Sequence, residues 1–95
     1  MKVAEKEEFY HYLSAAYNLP HEAFSEALRE KMLEVAGRLD KEENLYILAG
    51  HLSRFINAEL TALTYRAPKE LVDLAHYLHE LQETYRLFAI GLDTL

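Results

Sequence analysis

The sequence predicts an all-α fold, a four-helix antiparallel bundle built from two helical hairpins, on three observations. Apolar residues recur with the 3.6-residue period of a helix through most of the 95-residue chain, and no segment alternates in the manner of a strand over a useful length. Only 3 Gly and 2 Pro are present, sparse for a fold with many turns, whereas Ala, Leu and Glu are plentiful and favour helices. The periodicity breaks at three places, leaving segments of about 2–18, 20–38, 41–66 and 68–93. Connections of a few residues make successive helices antiparallel neighbours.

The first segment places Phe9, Leu13 and Ala16 on one face, with Tyr12 and Tyr17 flanking it. "NLPHE" interrupts it, and Pro20 suits the first turn of a second helix, where its missing N–H is no loss. That helix carries Phe24, Leu28, Met32, Val35 and Leu39 on one stripe. Its outer side holds Glu26, Glu30 and Glu34 in an i,i+4 row, with Arg38 pairing to Glu34. "LDKEE" marks the next boundary: Asp40 can cap the amides of the third helix while Glu43 reaches back, a capping box. The third stripe is Leu45, Leu48, Leu52, Phe55, Ile56, Leu60 and Leu63. Pro68 ends it and, with Glu70, opens a fourth helix whose stripe is Leu71, Leu74, Ala75, Leu78, Leu81, Tyr85, Phe88 and Leu92.

Composition bounds the function. Residues 1–95 make one domain, with 51% apolar residues, enough for a core and too many for a disordered chain. The absence of cysteine removes disulfides, thiolate zinc sites and cysteine nucleophiles. A charged N-terminus and no apolar run near 20 residues predict neither a signal peptide nor a membrane span, and a cytoplasmic location is expected. The net charge of −6 and the scatter of Lys and Arg argue against nucleic acid. Gly37, Gly50 and Gly91 are isolated, so there is no phosphate loop, and Ser14, Ser25 and Ser53 all lie in helical sequence rather than at a nucleophile elbow.

Two features single out residues. Folding the long hairpin about Ala67 sets "LYIL" opposite "RLFAIGL", so Ile47, Leu87 and Ile90 point away from the main stripes. A hairpin cannot bury apolar residues all round; either the first two helices cover this end or a second subunit does. Polar residues also interrupt the stripes. Glu59 falls in the middle of "FINAELTAL", and Gln82 between Leu78 and Tyr85. A buried carboxylate needs a partner. Glu59 is therefore expected either to meet a tyrosine hydroxyl or an arginine from a facing helix, or to line a cavity that binds a cationic ligand, metal or partner side chain. Seven tyrosines are many for a helical chain, and Tyr10, Tyr65 and Tyr77 fall off the stripes, where tyrosine suits an interface.

Metal chemistry is the rival reading. Glu8 with His11 and Asp73 with His76 share the i,i+3 spacing of di-iron bundles, but helical phase turns both histidines outward. "HYLHELQE" pairs His76 with Glu80 and His79 with Glu83 at i,i+4, a spacing that can hold a divalent ion on a helix surface if a partner chain adds ligands. Without catalytic motifs, the expected function is a small acidic interaction or regulatory protein, chaperone-like or an adaptor. It would act as a homodimer or on one protein partner and need no cofactor. The alternative is a metal-binding bundle or enzyme with Glu59, His76, His79 and Glu83 as candidates, and a third reading makes Glu59 the anchor of a ligand pocket.

Overall fold

The computed structural model describes residues 2–41 and 43–93, with side chains through Ala89. Among these residues four helices form: α1 (Lys6–Tyr17), α2 (Glu26–Leu39), α3 (Leu45–Leu63) and α4 (Lys69–Asp93), with short 3-10 turns at His21–Ala23 and Thr64–Arg66. Each helix packs on its neighbours in the chain and α4 closes the ring against α1, giving a four-helix bundle 48 × 29 × 18 Å across. The expected stripes supply the core. Phe9 and Leu13 of α1, Leu28, Met32 and Val35 of α2, Leu48, Leu52 and Ile56 of α3, and Leu71, Leu74, Leu78 and Leu81 of α4 are all buried.

The helices start later than their apolar periodicity suggests, because capping chemistry decides the boundary. α2 begins at Glu26 rather than near Pro20, and the Ser25 side chain accepts a hydrogen bond from the Leu28 amide. Pro20 instead precedes the 3-10 turn. The capping box expected at Asp40 and Glu43 is absent. Asn44 caps α3, accepting from the amides of Tyr46 and Ile47. Glu43 is drawn back to Arg38, which donates to both its carboxylate oxygens at 2.8–3.1 Å. That pair raises the Arg38 pKa and lowers that of Glu43. Asp40 meets Lys6 across the bundle at 3.1 Å. At the far hairpin Thr64 takes a positive φ of 54° to reverse the chain after α3.

Arg29 of α2 is almost fully buried beside the α1–α2 connection. Its guanidinium donates to the carbonyls of Tyr17, Leu19 and Pro20 at 2.8–3.1 Å, satisfying acceptors that the end of α1 and the connection leave open at Tyr17 and Leu19, and joining the Ala23 amide on Pro20. The Phe24 ring lies 4.3 Å from it and the Tyr17 ring 5.5 Å. A planar cation between two rings can enter the interior with its flat faces against aromatic surface and its edge on carbonyls.

Residues 2–5, expected to be helical, are not; they precede α1 as an extended strap along α4. Lys2 O accepts from Thr84 Oγ1, the Ala4 amide donates to Tyr46 Oη at 3.1 Å, and Tyr77 Oη reaches Glu5 O at 3.5 Å. Lys2 also pairs with Glu8 at 2.9 Å, which raises the lysine pKa. The strap carries the layer of the short α1 up the side of α4. No helix among the described residues is long and apolar enough to cross a membrane.

Candidate functional site

The long hairpin explains the apolar end. α3 and α4 run antiparallel, so that Gln82 of α4 lies against Gly50 of α3 and the Tyr85 ring stacks on that of Tyr46, centroids 5.9 Å apart. α3 begins at Leu45, whereas α4 runs eight residues beyond Tyr85, about 12 Å at 1.5 Å per residue. The buried stripe of α4 therefore continues past the point where α3 can cover it. Tyr85 and Phe88, expected in the core by their phase, are 47% and 53% exposed for this reason. Leu87 (46%) opens instead toward the strap, lining a groove with Lys2, Thr84 and Glu83, while Ile47 (45%) is exposed on the first turn of α3. The side chain of Ile90 lies outside the described residues. At this end four half-exposed apolar groups ring two helix ends rather than forming one flat patch.

Tyr77 is a correction. Its phase next to the stripe of α4 pointed outward, yet it is 1% exposed. The ring is enclosed by α1: Tyr12 stacks on it at 4.7 Å and Phe9 meets it edge-on at 5.7 Å. The strap covers what remains. Burial, with the carboxylate of Glu8 nearby, pushes its phenol pKa up to about 12. Tyr10 and Tyr65 are exposed, as expected.

Among the described residues Glu59 meets neither a tyrosine nor an arginine, and its partner is a serine. It sits half-buried near the other end of α3 and accepts from the Ser25 amide at 3.0 Å and the Ser25 hydroxyl at 2.7 Å. Its donor is the N-terminus of a facing helix, where the helix dipole also favours a carboxylate. Glu59 and Gln82 are not brought together: one caps α2, the other packs on α3 near the opposite end.

The candidate metal residues lie along the solvent side of α4. His76 and Glu80 share an open groove of about 360 Å³ with Tyr12, Asp73 and Tyr77. His79 Nε2 is 4.0 Å from Glu83, but Glu83 is closer to Arg86, at 2.6 Å. Asp73 is engaged by Lys69 at 2.7 Å. Among the described residues no three histidine or acidic side chains converge into a metal site. A divalent ion bound here would need ligands from another chain.

Sequence reasoning missed the strap, Arg29, the caps Ser25 and Asn44, and the role of Tyr46. Ser25 and Asn44 were findable, since each directly precedes a helical segment with the side chain an N-cap requires. The strap had little local signal, because apart from the Lys2–Glu8 pair its bonds reach residues 42 to 82 positions away.

A model of the bacteriocin immunity protein family matches residues 4–83, which spans most of the chain, all of α1, α2 and α3, and α4 up to Glu83. No curated protein and no solved structure matches the chain.

Proposed function

Because the chain belongs to the bacteriocin immunity protein family, we propose that it protects a cell from a bacteriocin by binding one protein, either the bacteriocin or the protein it attacks, through the uncovered end of the α3–α4 hairpin. The observation that carries this reading is the overhang of α4. Its core stripe runs on into solvent with Tyr85 and Phe88 half exposed, beside Leu87 and Ile47. Exposed apolar groups gathered at one end favour contact with another macromolecule, and the aromatic residues among them are the types that anchor protein interfaces.

The homodimer expected from the sequence would use the same end. Four half-exposed side chains offer an area on the order of 400 Å², about half of the ~800 Å² per partner in a stable protein complex. They also face several directions, which suits a partner that encloses the helix end better than a second copy laid flat against it. A larger partner can add contacts along the hairpin to reach a stable area.

The test is expression of the chain in a sensitive bacterium challenged with a panel of bacteriocins, with the protein's mass in solution measured in parallel. The reading expects the inhibitory concentration of at least one bacteriocin to rise well above that of cells carrying an empty vector, and a particle of one chain, 11.1 kDa. No protection against any bacteriocin would remove the proposed function, and a dimer that Leu87→Glu dissociates would assign this end to a second copy.

A further inference from the structure

We propose that the N-terminal strap and Tyr46 are positioning elements for the α4 end: the Ala4 amide holds the Tyr46 phenol, and the Tyr46 ring in turn sets the orientation of Tyr85. This rests on the reading that the α4 end is the binding surface. A tyrosine 47% exposed at the base of a helix overhang is free, on packing grounds alone, to sample several rotamers. Here its ring lies nearly parallel to that of Tyr46, at 24° and 5.9 Å between centroids. Tyr46 is in the first turn of α3, and its hydroxyl is fixed by the Ala4 amide at 3.1 Å.

Ala4 is itself held from both sides by α4. Thr84 Oγ1 donates to Lys2 O and Tyr77 Oη to Glu5 O, so the strap is tied at two points spanning seven residues of the helix. Thr84 and Tyr77 are each 1% exposed, rigid core groups rather than surface side chains. The strap contributes little apolar burial of its own, since Val3 is exposed and Ala4 only half-buried. Three main-chain hydrogen bonds and the Lys2–Glu8 pair are its attachments. The result is a closed circuit, from α4 through the strap to α3 and back to α4 at Tyr85. Such a circuit pre-orders an aromatic group of the binding surface before the partner arrives, which lowers the ordering cost of binding.

Tyr46→Phe removes the hydroxyl and keeps the ring, and Ala4→Pro removes the donor while leaving the Lys2 and Glu5 carbonyls that tie the strap to α4. Each is made in the full chain and read by NMR and by protection against the bacteriocin that the wild type resists. In both variants the circular dichroism spectrum should be unchanged, the Tyr85 ring resonances should move toward those of a free tyrosine, and the Tyr46→Phe chain should also exchange its Ala4 amide faster. Protection should fall roughly fivefold, the effect of one ordinary hydrogen bond, and the double variant should fall no further than either single one. Unchanged Tyr85 resonances in both variants would overturn the proposal whatever the protection assay shows. If the resonances move while protection holds, and Leu87→Glu abolishes protection, the positioning role fails but the binding surface stands. If Leu87→Glu also leaves protection intact, the binding surface fails, and with it the role of the strap in recognition.

Discussion

At Glu59 an apolar stripe accommodates a carboxylate because the position faces the open N-terminus of α2. The sequence showed that this residue needed a donor and that the donor belonged to another helix. It did not show that the donor was a main-chain amide, since periodicity locates side chains and says nothing of which helix ends they face. Removing the carboxylate in Glu59→Ala should cost about 1 kcal/mol, the usual scale of a helix cap. Ser25→Ala should cost somewhat more, because that hydroxyl also accepts from the Leu28 amide. In denaturant titrations the double variant should lose less than the sum of the two; additive losses would mean that the two residues do not cooperate. Tyr77 makes a second residue-scale prediction. Its proton is held in the folded state up to about pH 12, whereas the unfolded phenol loses it from near pH 10. The stability it contributes is whole below pH 10 and is lost as pH rises toward 12. Tyr77→Phe should flatten this alkaline fall in melting temperature while leaving the melt at neutral pH little changed.

At the scale of the element, the apolar stripes of all four helices were legible, because burial in a bundle is written directly in a 3.6-residue period. The boundaries were less so. Asp40 and Glu43 have the types of a capping box, but a nearby Arg38 and Lys6 compete for them and win. The misplacement of Tyr85 and Phe88 shares one cause. Phase assigns a residue to a face, but whether that face is covered depends on where the neighbouring helix begins. Phe55 differs: mid-way along α3 and next to the buried Ile56, it stays 41% exposed at the edge of the stripe, with Lys31 of α2 5.0 Å from its ring centre. Arg29 was hidden for the opposite reason: an arginine beside a stripe reads as a charged edge, and only the path of the α1–α2 connection turns it into an internal clamp. Arg29→Met keeps the aliphatic bulk but takes the guanidinium from three carbonyls, of which Pro20 retains the Ala23 amide as a donor. It should destabilise the chain by about 3 kcal/mol, in the range of broken buried charge interactions. Chemical denaturation checks this, and Arg29→Lys, which cannot span three acceptors, should fall between the two. A loss below about 0.5 kcal/mol, the level of an ordinary surface change, would contradict the clamp.

The whole molecule joins a closed bundle to one unfinished end. The bundle is complete where α1 and the strap cover Tyr77 and where Glu59 ties α3 to α2, and these contacts give a rigid platform. Among the described residues, the α4 overhang is where the core stripe itself runs on into solvent, at Tyr85 and Phe88. That the end would be apolar on several sides was legible from "LYIL" facing "RLFAIGL"; that α1 and α2 stop short of it was not, since helix length depended on caps and on the strap. The proposed function assigns this end to partner binding, and the measurement that tests the link most directly is bacteriocin protection by a chain carrying Leu87→Glu and Phe88→Glu. The account predicts that these cells express a helical protein with a melting temperature close to wild type and yet are as sensitive as cells with an empty vector. Full protection by that folded variant would contradict it and place the contact elsewhere on the bundle.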